Sequence, residues 1–120
     1  VLGFARVSEL TPEEHDEIIG FVSQLTHCIA VALMTCNDDQ HLEEYTGDSF
    51  RDLTRIARIN DEMWSEPFLL NRDALLSQMD AFEAQLGRLR ETIASGKRDE
   101  MRAMMRRSAE RRAKFDKITK

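Results

Sequence analysis

Apolar residues recur at helical spacing over much of the chain, most regularly in its last third. Between Asn71 and Gly96, six of them follow one another at spacings of four and three residues: Leu75, Met79, Phe82, Leu86, Leu89 and Ile93. This pattern predicts a helix with a coiled-coil-like seam. Asn71 suits its start and Gly96 its end. A further helix from about residue 98 to 117 would complete a helical hairpin.

A second long helix is predicted for residues 11 to 36, TPEEHDEIIGFVSQLTHCIAVALMTC. Thr11 and Glu14 form a capping-box pattern, and Pro12 suits the first helical position. With about 100° per residue, the polar residues Asp16, Ser23 and His27 share one stripe. The apolar face opposite that stripe is predicted to consist of Ile18, Val22, Leu25 and Ile29. After His27, IAVALM is apolar all round and is typical of a buried helix.

Shorter elements are predicted between these helices. One helical turn fits residues 41 to 45, and Ser49 is a plausible cap for a helix over residues 50 to 59. Asn60 or Asp61 can start another helix that ends near Leu70. Pro67 should lie in its first turn or kink it. Residues 1 to 10 form an extended lead-in.

Composition favours an all-α, folded domain. The 120 residues include only five glycines and two prolines, and 42% are hydrophobic. No apolar run reaches about 18 residues, so we predict no membrane-spanning helix, and no secretory signal is visible. Cytoplasm is therefore the expected location. Cys28 and Cys36 lie too far apart on one helix for a disulfide and are expected to be buried, reduced thiols.

Charge is unevenly distributed along the chain. The net charge is −5, but residues 97 to 120 carry +6 and the remainder −11. A basic helix can bind nucleic acid. Because only Phe115 is aromatic in this segment, we favour a solvated arm and predict no nucleic-acid partner.

Candidate anion-binding residues lie in SFRDLTRIARINDEMW. Arg51 and Arg55 are four residues apart and would share a helix face. Guanidinium groups bind carboxylates in a bidentate manner when that face is sheltered, and are otherwise solvated surface charges. His27 is likewise open to two interpretations, a satisfied core histidine or a site residue. Only convergence of the two segments would favour the site.

Other chemistries find no support in the sequence. It contains no GxGxxG, P-loop or GxSxG motif, so it carries neither a dinucleotide loop nor an activated serine. The histidines and cysteines lack metal-ligand spacing, and no metal site is predicted. No complete catalytic apparatus is visible.

The motifs LGFARV, TPEEHD, SQLTH, GDSFRDLTRIA and MW occur in this order and resemble the C-terminal helical domain of prephenate dehydrogenase. The resemblance covers residues 2 to 64 by motif, and the later helices match the family's dimerisation region in kind. It implies that residues 1 to 10 leave a missing N-terminal Rossmann domain and that residues 11 to 120 form the substrate-binding and dimerisation domain of a homodimer.

The resemblance also implies roles for individual residues. His15 and Asp16 would lie toward the nicotinamide. Ser23 and His27 would contact prephenate. Many members have SHLPH where this chain has SQLTH, which puts any site role for Gln24 in doubt.

Three further residues of the second segment receive roles in the same way. Arg55 would bind a substrate carboxylate, and Arg51 would occupy a nearby basic position. Trp64 would approach the site from the other subunit.

The implied reaction is the NAD- or NADP-dependent oxidative decarboxylation of prephenate to 4-hydroxyphenylpyruvate in tyrosine biosynthesis. The cofactor and the general base would belong mainly to the missing domain, so this fragment alone is expected to be inactive. Arogenate is an alternative substrate. A non-catalytic helical dimerisation or adaptor module is the alternative from another class, and a helical chorismate mutase is less well supported by the residues.

Overall fold

The computed structural model describes residues 9 to 118, in which every regular element is helical, as the all-α prediction expects. The predicted lead-in lies almost wholly outside the described residues. The chain divides into two compact units, Val1–Met79 and Asp80–Lys120. The first unit carries the candidate site, and the second holds most of the C-terminal helical hairpin, whose first helix begins at Arg72 in the first unit.

The long N-terminal helix is interrupted by a π-turn. Helix α1 spans Pro12–Ile19, the π-turn Gly20–Leu25, and α2 Thr26–Thr35. The predicted capping box is confirmed, because the Thr11 hydroxyl accepts a hydrogen bond from the Glu14 N–H (3.1 Å) and Glu14 Oε1 accepts one from the Thr11 N–H (2.9 Å). A π-turn rotates less per residue than an α-helix, so residues after it face a different direction from the one that regular periodicity predicts.

Loss of the capping box should cost a measurable part of the stability. We expect Thr11→Ala to lower the free energy of unfolding by about 1 kcal/mol, since an N–H at the helix start loses its acceptor. Thermal unfolding followed by circular dichroism measures the change. Ser49→Ala is the matched control and should change stability by less than about 0.5 kcal/mol. Equal losses in the two variants would contradict the assignment of Thr11 as the cap.

The middle of the chain is built from short helices. Helix α3 spans Asp48–Thr54 and α4 spans Asp61–Leu70, with 3-10 turns at Leu42–Glu44 and Arg55–Ala57. The turn predicted near residues 41 to 45 is confirmed. Asn60 caps α4 by accepting from the Met63 N–H (3.1 Å).

In this region the predicted cap Ser49 is wrong, and of the two alternatives for Pro67 the structure excludes a position in the first turn. Ser49 lies inside α3, whose cap position is Gly47 without a side-chain hydrogen bond. Pro67 lies inside α4 beyond its first turn. Its carbonyl accepts the backbone N–H of Asn71 (3.1 Å), so the helical hydrogen bonds continue past the proline.

The predicted apolar face of the first helix is only partly buried. Leu25 is buried, as are Ala30 and Leu75, whereas Ile18 and Val22 are exposed in the chain by itself. Within the π-turn, Gln24 is buried together with Leu25. Gly20 also faces inward, and a Cβ atom there would lie 3.6 Å from the Leu75 backbone. Because Gly20 has no side chain, the π-turn packs closely against the backbone of α5 at Leu75.

The two cysteines are free, as predicted, but they are not both buried. Cys28 is half-buried, and burial raises the pKa of its thiol. Cys36 is exposed because it lies at the end of α2, next to the polar loop.

Helices α5 (Arg72–Ala94) and α6 (Arg98–Ile118) confirm the predicted hairpin. Gly96 adopts φ +64°, and the Lys97 N–H donates to the Thr92 carbonyl (2.8 Å), which closes α5 in a Schellman motif. In the second unit, α5 and α6 line a groove together. Several seam residues remain exposed in the single chain, including Leu86 at 53% and Ile93 at 61%.

The helical run Pro12–Thr35 is long and apolar enough to cross a membrane by length and composition, which the sequence pattern did not predict. Core helices of soluble proteins meet the same two criteria. Gln24 lies in the middle of the run and pairs with polar groups of α4 and Asn71 in the same chain. This pairing favours a helix packed within the protein.

Candidate functional site

The His27 imidazole is fixed by a backbone carbonyl one turn earlier. Its Nδ1 lies 2.7 Å from the Ser23 carbonyl oxygen. Because a carbonyl can only accept, Nδ1 carries the proton and donates it to this bond. In the neutral ring, Nε2 is then the unprotonated nitrogen. His27 can therefore offer Nε2 to a hydroxyl as an acceptor or, when protonated, to a carboxylate as a donor.

One face of the His27 ring is covered by Trp64. The ring centroids lie 4.1 Å apart with an interplanar angle of 27°, and Phe68 lies behind Trp64 at 5.8 Å. The resemblance implied that Trp64 approaches from the other subunit. In the structure it contacts His27 of its own chain, because α4 packs beside the π-turn. Trp64 therefore supports His27 directly.

The π-turn decides which polar residues come together. Ser23 and His27 are neighbours, because His27 Nδ1 is bonded to the Ser23 carbonyl. The same carbonyl also accepts a hydrogen bond from the Thr26 hydroxyl (2.8 Å). Asp16, predicted on the same stripe, instead lines a cavity of about 580 Å³ formed with the end of α4 and the start of α5. His27 is not among the residues that line this cavity. The predicted stripe assumes a regular helix from Asp16 to His27, and the π-turn Gly20–Leu25 interrupts that helix, so the shared stripe stays a prediction.

His15 and Asp16 form an exposed pair on α1, with His15 Nδ1 3.7 Å from Asp16 Oδ1. The cavity beside Asp16 is also lined by Glu13, Glu17, Asp73 and Arg72, so four carboxylates outnumber one guanidinium group and the rim is acidic on balance. This excess of negative charge disfavours a phosphate or a carboxylate.

Arg55 is brought next to the helix that carries His27. It is the first residue of the 3-10 turn Arg55–Ala57, and α2 packs against both this turn and α3. The site interpretation requires the segment with His27 and the segment with Arg55 to lie together. Their helices are in contact, as this interpretation requires. Arg55 is exposed in the chain by itself. Any shelter for its guanidinium group must come from outside the described residues.

Arg51 is directed elsewhere. Its Nη2 donates to the Glu43 carbonyl at 3.4 Å, which ties α3 to the 3-10 turn at Leu42–Glu44. Arg51 and Arg55 were predicted to share one helix face, but Arg51 is bonded to a backbone carbonyl of its own chain. Arg55 remains the better candidate for a carboxylate ligand.

Gln24 was not recognised in the sequence as an important residue. It is only 5% exposed, and both ends of its amide are bonded, to the Pro67 carbonyl (3.2 Å) and to Asn71 Nδ2 (2.8 Å). The sequence feature that could have indicated its burial is a single glutamine next to apolar residues in the first helix. Its partners lie more than 40 residues away and could not be identified from local pattern.

One exposed group in the described part of the chain could hold a metal ion by proximity, namely His41, Glu43 and Glu44, whose ligand atoms lie within 4.8 Å. His41 Nδ1 is already 3.2 Å from the Glu44 carboxylate. Exposed carboxylates at a turn are common without an ion, so this group carries no assignment.

The chain resembles known proteins over most of its length. A family model described as "Prephenate dehydrogenase, dimerization domain" matches residues 11–107. Cyclohexadienyl dehydrogenase of Zymomonas mobilis is 34% identical over 96 residues, which cover 75% of this chain and 33% of that protein. Prephenate dehydrogenase of Bacillus subtilis is 30% identical over 93 residues, covering 72% and 24%. The chain thus spans about a third or less of these curated relatives.

Two solved structures share the fold. One is prephenate dehydrogenase from A. aeolicus in complex with hydroxyphenyl propionate and NAD+, with a TM-score of 0.81, 31% identity, and coverage of 88% of this chain and 39% of that one. The other is Synechocystis arogenate dehydrogenase, with a TM-score of 0.80, 22% identity, and coverage of 88% and 41%. At this identity, the second match shows the fold alone.

Proposed function

This chain belongs to the prephenate dehydrogenase family, and we propose that it is the helical part of such an enzyme that binds prephenate and joins two subunits. The observation that carries the proposal is the placement of His27. Its Nε2 is left available by the Ser23 carbonyl, and its helix packs against the turn that begins at Arg55. An adaptor module would have no need for this placement.

The proposed site matches the charges of prephenate. The substrate is a dianion with two carboxylates and a ring hydroxyl, so its binding needs a fixed cation and hydrogen-bond donors. We propose that the planar Arg55 guanidinium group binds one carboxylate in a bidentate manner. Ser23 and His27 would bind the rest of the molecule, and Trp64 would keep His27 in place. Part of the rate would then come from holding the substrate in register.

The cofactor is proposed to bind elsewhere in the enzyme. The A. aeolicus enzyme was solved in complex with NAD+, but the present sequence has no glycine-rich loop that could hold a pyrophosphate. The acidic cavity beside Asp16 does not suit a phosphate either. We therefore propose that NAD is bound mainly by another part of the enzyme. His15 and Asp16 stay a proposal as residues near the nicotinamide.

A homodimer is proposed from the exposed apolar residues of the second unit. Leu86, Ile93, Met105 and Phe115 are each more than half exposed in a single chain. Apolar residues at seam positions are normally covered by another helix. The family description names this domain for dimerization, which supports a second copy of the chain as the cover.

The experiment that tests this function uses the longer protein that carries this chain with its nucleotide-binding domain. We expect it to reduce NAD in the presence of prephenate and to run as a dimer by light scattering at micromolar concentration. Arogenate, assayed in parallel, identifies the preferred substrate. The 120-residue chain alone should be inactive with both. A dimer that oxidises neither compound would favour the adaptor module instead.

A further inference from the structure

Gln24 and Asn71 form a closed amide network at the point where three elements meet. Gln24 Nε2 donates to the Pro67 carbonyl at the end of α4, and its Oε1 accepts from Asn71 Nδ2. Asn71 Nδ2 also donates to the Asp16 carbonyl of α1 at 3.0 Å. No buried side-chain nitrogen or oxygen in the described residues lacks a partner. Gln24 is buried and Asn71 is half-buried, and hydrogen bonds shared among three elements in this way hold them in one arrangement.

The network acts on the π-turn itself. π-turns are rare and less stable than α-helix, so they persist where surrounding contacts fix them. Gln24 lies inside the π-turn, directly after Ser23, and its buried amide provides such contacts. The turn in turn presents the Ser23 carbonyl to His27 Nδ1. This bond selects the His27 tautomer, and its acceptor belongs to the segment that the amide network contacts.

The same network also contacts the helix that carries Trp64, whose ring stacks on His27. The Pro67 carbonyl lies in α4, one turn after Trp64. A bond from Gln24 to this carbonyl fixes the distance between the π-turn and the helix that carries Trp64. The Trp64 ring can then stack on the His27 ring at 4.1 Å.

We infer that Gln24 and Asn71 are positioning residues for substrate binding, which act through the π-turn on the tautomer and orientation of His27. Neither residue needs to contact the substrate, because the Gln24 amide is buried and occupied. For its kinetic consequence, this inference rests on the proposed function.

The test compares Gln24→Met and Asn71→Asp with Thr92→Val in the longer enzyme. Gln24→Met removes the amide at similar length, and Asn71→Asp removes the donor at the same shape. Thr92→Val is the matched control, because Thr92 is also 5% exposed and its hydroxyl donates to the Leu89 carbonyl (2.7 Å) in the second unit. All three variants should lose thermal stability.

We expect only the two network variants to raise the KM for prephenate, by about fivefold to tenfold, with kcat changed less than twofold. The double variant Gln24→Met/Asn71→Asp should be no worse than the more affected single variant, because both changes break one network. An unchanged KM in both single variants, with a stability loss like that of Thr92→Val, would overturn the inference. If Gln24→Met does not fold, Asn71→Asp decides the question.

A spectroscopic measurement separates this inference from the proposed function. In enzyme labelled with ¹⁵N-histidine, His27 should show the Nδ1–H tautomer in the unaltered protein and in Thr92→Val. Both network variants should show mixed tautomers. This result would support the positioning role even if the unaltered enzyme did not oxidise prephenate. An unchanged His27 spectrum in both network variants would overturn it.

Discussion

Arg55→Ala is expected to raise the KM for prephenate about 30- to 100-fold in the longer enzyme, because a hydrogen bond to a charged group contributes about 1.5–3 kcal/mol. The loss should fall mainly on binding, since the carboxylate is present in both the ground state and the transition state. Folding should be unaffected, because Arg55 is exposed in this chain. Steady-state kinetics and thermal unfolding measure the two effects.

Two further variants define the cause of that effect. Arg55→Lys keeps the charge but loses the planar fork, so it should recover only part of the affinity. Arg98→Ala removes the same charge from an exposed position at the start of α6 and should leave KM within about twofold. A similar KM for Arg55→Ala and Arg98→Ala would remove Arg55 from the site. A change of only a few-fold would indicate that the guanidinium group stays in water when substrate binds.

Replacement of His27 should lower kcat/KM for prephenate. The size of the loss should depend on whether the new side chain places a polar group where Nε2 or Nδ1 was. His27→Phe keeps a ring to stack on Trp64 but removes both nitrogens, and we expect a loss of about 10- to 100-fold. The side-chain amide of glutamine reaches the region of Nε2, whereas that of asparagine reaches only the region of Nδ1. His27→Gln should therefore retain more activity than His27→Asn.

The order of these variants is the decisive result. Nδ1 is already bonded to the Ser23 carbonyl, so only a group at the Nε2 position can serve the substrate. If His27→Asn were the more active variant, the Nδ1 bond would not be the one that orients the ring. If His27→Phe were fully active, His27 would be a core residue that only packs against Trp64.

Local signals in the sequence were sufficient for most of the helices. The ends of α4, α5 and α6 follow from residues whose effect is local, such as the Asn60 cap and the positive φ of Gly96. The capping box at Thr11 forms between residues three apart. Interactions within one helical turn depend little on the rest of the fold, so they can be predicted without it.

The candidate site was predicted in part, through the family resemblance rather than through periodicity. The structure keeps Ser23, His27 and Trp64 together and brings the turn at Arg55 beside α2. Asp16 lines a cavity that those three residues do not line, and Arg51 donates to the Glu43 carbonyl. Periodicity assumes a regular helix, and the π-turn breaks that assumption.

The sequence by itself determined the all-α class, the locally capped helix ends at Thr11, Asn60 and Gly96, and the residues that resemble a prephenate site. Only the tertiary structure decided that Gln24 is buried, that Asp16 faces another cavity and that Trp64 stacks on His27 of the same chain. Of these residues, Gln24 lies inside the π-turn. Its polar contacts are to Pro67 and Asn71, 43 and 47 residues from Gln24, and partners at such separations leave no trace in the local pattern.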